Sequence, residues 1–121
     1  MKVLTEKLEA LTIIIVDGNV ESADDSALIS NAISKTDDGF GNIILDLSSV
    51  VLIVNSGLSG LEEIQEKLEA EAKSFVLCGL NNTLQSALDE KFDEDFFNIV
   101  PTRNEAVDMV YMEEQERSFF N

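Results

Sequence analysis

The chain has 121 residues, 24 of them Asp or Glu against 8 Lys or Arg, giving a formal net charge of −16 with no histidine and one cysteine. That charge repels nucleic-acid phosphates and anionic membranes, so both are excluded as expected partners and a basic protein surface is favoured, unless the acids serve only solubility. A 45 % share of hydrophobic residues is too high for disorder, and the length suits one domain, 1–121, with one core.

In chain order, Val3, Thr5 and Lys7 alternate with Leu4, Glu6 and Leu8, as in a strand half exposed to water. Thr12-Ile13-Ile14-Ile15-Val16 is β-branched throughout and reads as a buried strand, paired with the first as an antiparallel hairpin. Ser22-Ala23-Asp24-Asp25 resembles a capping box with Asp in place of Glu. It opens a helix whose apolar face is Leu28, Ile29, Ala32 and Ile33. Asp37-Asp38-Gly39-Phe40-Gly41 then breaks the chain.

The stretch from Asn42 to Leu61 organises the rest. Ile43-Ile44-Leu45 is a short apolar run ending at Asp46, and Val50 to Val54 is a second one. Asn55 or Ser56 is expected to cap the helix that follows. In that helix Leu58, Leu61, Ile64, Leu68 and Ala72 recur every three or four residues, and Glu62, Glu63, Glu66 and Glu69 fill the opposite face. Junctions of buried strand and helix N-terminus face the ligand or partner side of α/β sheets.

Phe75-Val76-Leu77-Cys78 reads as another buried strand, closed by Gly79. Asn81-Asn82-Thr83 offers caps for a helix carrying Leu84, Leu88 and Phe92. Phe96 to Val100 is an extended segment before Pro101, and Thr102 caps a last helix with Ala106, Val107, Val110 and Tyr111. Residues 113–121 are charged apart from Phe119-Phe120 and are expected to fray or to contact a neighbour. Ile13, Ile15, Ile44, Leu45, Leu61, Ile64, Leu68, Val76, Leu77, Leu88 and Val107 are the expected members of one core.

A catalytic centre is hard to build from these residues. Histidine, the commonest general base and metal ligand, is absent. There is no Gly-rich phosphate loop and no ligand set with metal spacing, so neither enzyme activity, metal nor cofactor is expected. Asp17 and Asp46 at strand ends suggest a response-regulator receiver, but only one helix and one strand fit between them, and such a receiver needs more. Cys78 reads as a buried, inert thiol, and a single cysteine suits a reducing, cytoplasmic setting. No apolar run approaches the ~20 residues of a membrane span, so a free-standing soluble domain is expected.

Leu45-Asp46-Leu47-Ser48, then Val50, then Asn55-Ser56-Gly57-Leu58 resembles the signature of the STAS domain. That family takes in anti-sigma factor antagonists and the cytosolic ends of sulfate transporters. Its pattern is roughly L-D-L-S-x-V, three more residues, then D-S-S-G-L, with the first Ser of D-S-S phosphorylated. Here Val54 stands in place of the Asp and Asn55 in place of that Ser, while Ser56, Gly57 and Leu58 match. Gly18-Asn19-Val20-Glu21 also resembles the family's loop after the second strand, with Glu21 as its acidic residue. The order of elements after the signature agrees as well, so the resemblance runs from about Leu11 to Met112.

The resemblance implies an α/β fold with a mixed four- or five-stranded sheet and packed α-helices. It implies regulation by binding a kinase-like anti-sigma factor, which phosphorylates its antagonist to release it. The implied contact surface is Asn55, Ser56, Gly57, Leu58 and Ser59, with Gly18, Asn19, Glu21 and Asp46 nearby. With Asn55 in the Ser position, the phosphorylation switch is expected to be missing there, unless Ser56 or Ser59 has taken it over. Asp46 reads equally as a carboxylate near a phosphate or as a strand-end residue bonded to backbone amides. Glu21 reads first as a solvated loop acid. A small-ligand sensing or transport-accessory role is the alternative, since the same fold carries it.

Overall fold

The computed structural model describes residues 1–36 and 41–120; of the expected break at 37–41, all but Gly41 lies outside them. Strands β1 (Lys2–Lys7), β2 (Thr12–Asp17), β3 (Ile43–Ser49), β4 (Phe75–Cys78) and β5 (Asn98–Val100) form one sheet in sequential order. The hairpin β1–β2 is antiparallel and every later pairing is parallel. Helices α1 (Ala23–Ser34), α2 (Asn55–Ala70) and α3 (Asn82–Lys91) are the crossovers, and α4 (Arg103–Phe120) follows β5.

Parallel crossovers share one hand. When each new strand is added on the same side of the last, all crossovers fall on one face of the sheet. The packing agrees: Ile14, Val16, Ile43, Leu45, Leu47, Phe75 and Leu77 meet Ile29 of α1, Leu58, Leu61 and Leu68 of α2, and Leu84 and Leu88 of α3. That arrangement leaves the other face bare unless a further element covers it. Helix α4 does so, laying Ala106 and Val110 over Ile13, Ile44 and Val76.

The expected single core is therefore two, one on each side of the sheet. Alternation along a strand sends Ile44 and Leu45, or Val76 and Leu77, to opposite faces, so Ile13, Ile44 and Val76 never share a layer with Leu61 or Leu88. Ile15, Ile64 and Val107 are only partly buried. Leu28, read as core-facing, is exposed on α1. Ala72, read as the last turn of α2, lies beyond it with φ +58°. There it closes a Schellman motif, with Lys73 N–H donating to Leu68 O at 2.8 Å and Ala72 N–H to Glu69 O at 3.0 Å.

Helix α4 is anchored at both ends. Near its start Arg103 pairs with Asp46. Near its end Glu114 and Arg117 reach the fully buried Asn42. The Asn42 amide donates to Ala10 O and Glu114 Oε1, and its oxygen accepts from Ser74 N–H and Arg117 Nη2. The charged tail, expected to fray or meet a neighbour, is thus helical to Phe120 and tied to the sheet through Arg117.

Candidate functional site

The carboxyl ends of β2, β3 and β4 carry the loops that the sequence singled out. Gly18 turns the chain out of β2 with φ +110°, a conformation that glycine adopts without steric cost. Asn19 follows, and its side-chain oxygen accepts from Val51 N–H at 2.9 Å and Leu52 N–H at 3.2 Å. Val20 then pairs with the segment before α2: its N–H donates to Leu52 O at 3.0 Å, and Val54 N–H donates to Val20 O at 2.9 Å. Two loops more than thirty residues apart in sequence are thereby joined into one surface.

That joining sets where α2 begins. Val54 is held extended by Val20, and its carbonyl accepts from Gly57 and Leu58 N–H. Val54 is therefore the N-cap, and Asn55 and Ser56 are the first two helical residues, both exposed. The expected cap from Asn55 or Ser56 is not made, because neither occupies the cap position; no side chain caps α2. By contrast Ser22 caps α1, accepting from Asp25 N–H at 3.2 Å. Asp25 takes the returning bond from Glu21 N–H at 3.0 Å, one residue earlier than in a capping box. Asn81 caps α3 through Leu84 N–H and also donates to Val50 O, drawing the β4–α3 turn into the same surface.

Gly57 is required by packing rather than by φ. A methyl group there would lie 2.6 Å from Ile53 Cγ2 and 2.9 Å from Val20 Cγ1, so a side chain would wedge the two loops apart. Leu58 is buried beneath, and Ser59 is half-buried, 3.4 Å from Lys91 Nζ. The outward groups are Glu21, Val51, Leu52, Asn55 and Ser56. Val51 and Leu52 went unremarked in the sequence because they sit inside an apolar run that reads as buried. Only the bonds to Asn19 and Val20 reveal that the run leaves the sheet.

Asp46 does not join this surface. It shares the α4 face of the sheet with Ile44, between Ile15 and Cys78 in the neighbouring strands. One oxygen accepts from Ser48 N–H at 3.0 Å and Ser48 Oγ–H at 2.7 Å, and the other from Arg103 Nε at 3.1 Å and Nη2 at 2.6 Å. Burial works to raise its carboxyl pKa, but the Ser48 and Arg103 bonds outweigh it and hold the group below the ordinary carboxylate range. The bond from Ser48 N–H is the backbone-amide contact that one of the two readings named. The Ser48 bonds also stabilise the irregularity in β3, where the β2 pairing shifts between Asp46 and Ser49. Cys78, beside this pair, is buried, and burial followed by the Asp46 charge pushes its thiol up to about 11. Among the described residues no group of three His, Cys, Asp or Glu side chains is placed to hold a metal ion, and no helix is long and apolar enough to cross a membrane.

A mixed sheet clothed by helices on both faces, with two loops knitted at its carboxyl end, defines a small α/β domain that presents a joined-loop surface. The sequence profile of the STAS domain matches residues 2–106, and the chain belongs to that family. Solved structures of the same fold include a candidate anti-sigma factor antagonist from Thermotoga maritima, at 18 % identity and TM-score 0.79, covering 90 % of this chain and 94 % of that one. The anti-sigma factor antagonist SpoIIAA of Bacillus matches at 20 % identity and TM-score 0.66, covering 91 % and 98 %; that protein has also been solved phosphorylated. A sulfate transporter family protein from Wolinella succinogenes matches at 22 % identity and TM-score 0.69, covering 88 % of each chain. At these identities the likeness is one of fold. No curated protein matches the chain.

Proposed function

We propose that this STAS domain is a non-catalytic regulator that binds a protein partner through the joined Gly18–Glu21 and Val50–Ser59 loops. The observation that carries the reading is the pairing of Asn19 and Val20 with residues 51–54, which holds Asn55 and Ser56 outward on a fixed frame. The partner in this reading is a kinase-like anti-sigma factor, as the family resemblance implies. Asn55 has no hydroxyl to phosphorylate, so the domain stays in one binding state, in the cytoplasm, unless Ser56 or Ser59 carries the phosphate. The likeness to a sulfate transporter family protein supports a second reading, a ligand-sensing or transport-accessory domain.

Asn55→Asp tests the first reading. The residue is exposed at the start of α2, where a negative charge is favoured by ~0.3–1 kcal/mol, so the melting temperature holds or rises slightly. A charge at the centre of a contact surface loses affinity unless the partner supplies a cation. The partner is recovered by pull-down from the native source, and its affinity for parent and variant is compared. Undiminished binding by a well-folded Asn55→Asp sinks this interface. Phosphate found on Ser56 or Ser59 shows that the switch has moved, and a co-purifying small molecule in place of a kinase favours the second reading.

A further inference from the structure

Helix α4 uses one face to cover the sheet and carries a second apolar face outward. Ala106, Val110 and Arg117 point in, while Tyr111, Met112 and Phe119 point out; Met112 is 60 % exposed and Tyr111 38 %. With Ala10 of the β1–β2 turn at its foot, this face lines a broad depression of about 1210 Å³. Apolar side chains grouped on an outer helix face mark an interaction site more often than scattered ones do. Tyr111, Met112 and Phe119 lie beyond the segment that matches the family profile, which ends at 106.

The geometry points to this face as a docking site for a basic amphipathic helix of another protein, separate from the joined-loop surface. Charge decides the occupant. Asp108 and Glu116 stand exposed on the rim, Glu114 is turned inward to Asn42 and Arg117, and no Lys or Arg among the described residues lines the depression. A second copy would set these acids against their counterparts in a chain of net charge −16, and an anionic membrane would be repelled in the same way. A helix with leucine-like residues along one stripe and lysine or arginine beside them satisfies both parts of the surface. From Asp108 to Phe119 the face runs ~16 Å at 1.5 Å per residue, about three turns of such a helix.

Tyr111 is the only tyrosine and there is no tryptophan, so its fluorescence reports on this face directly. The probe is a synthetic helical peptide of leucine and lysine without aromatic residues, with a leucine–glutamate peptide as control. Saturable change in Tyr111 emission with the lysine peptide alone is expected. Met112→Ser, an exposed substitution that preserves charge, should weaken it at least fivefold while the circular dichroism is unchanged. Asp108→Asn with Glu116→Gln should flatten its salt dependence. No saturable change, or equal binding by Met112→Ser, overturns the proposal, because attraction to the overall negative charge would then suffice. Dimerisation of the peptide-free protein in sedimentation, abolished by Met112→Ser, overturns it in favour of a second copy.

Discussion

Replacing Arg103 by Ala removes the clamp between α4 and the sheet, and its cost can be worked from the geometry. The Asp46 side chain is only 6 % exposed, and one of its oxygens receives both of its bonds, at 3.1 and 2.6 Å, from Arg103. Without them a buried charged oxygen keeps no protein donor, a loss of about 1–3 kcal/mol or more for such a group. Arg103 itself is 42 % exposed, so water can follow the missing side chain and solvent screens part of the attraction, which places the expected loss in the lower half of that range. Urea denaturation of Arg103→Ala, Asp46→Asn and the double variant measures it, with a coupling of about 0.5–3 kcal/mol expected from the cycle. The pH dependence has a definite sign. Because the folded Asp46 carboxyl lies below its ordinary value, the stability it contributes is fully present above about pH 4 and is lost as pH falls through the folded value. The stability gap between parent and Asp46→Asn should therefore shrink in acid. A cycle with no coupling, or a gap equal at about pH 7 and pH 2.5, refutes the clamp.

Leu61→Ala, in the layer beneath α2, should cost ~2–5 kcal/mol, and a loss below ~1 kcal/mol in the same denaturation assay would mean that the site collapses freely. Cys78, buried with its thiol near 11, should resist a thiol reagent at neutral pH until denaturant is added; rapid labelling of the folded protein would contradict that placement. Added salt should raise the melting temperature, because 24 acids face 8 bases and screening relieves their repulsion; a flat response up to ~1 M would show the charges too dispersed to matter.

Local chemistry was enough to read most elements from the chain. The β-branched run at Ile13 to Val16, the heptad-like recurrence of Leu61 and Leu68, and the caps at Ser22, Asn81 and Thr102 act over a few residues, and each is found where the pattern puts it. The helix start at Asn55–Leu58 was legible for the same reason: a strand end followed by a helix start is a short-range pattern. What the sequence left undetermined depends on pairing across the sheet. Asp46 could be read two ways until the register set it between Ile15 and Cys78, on the face where Arg103 arrives from fifty-seven residues away. Asn55 looked like a cap until the bridge from Val20 fixed Val54 in that position. The division of one apolar set into two layers, and the outward turn of Val51, Leu52 and Met112, likewise depend on which face each neighbour covers. Periodicity along a chain specifies which residues share a side; only the tertiary contacts decide what stands opposite that side, and so whether it is core, clamp or open surface.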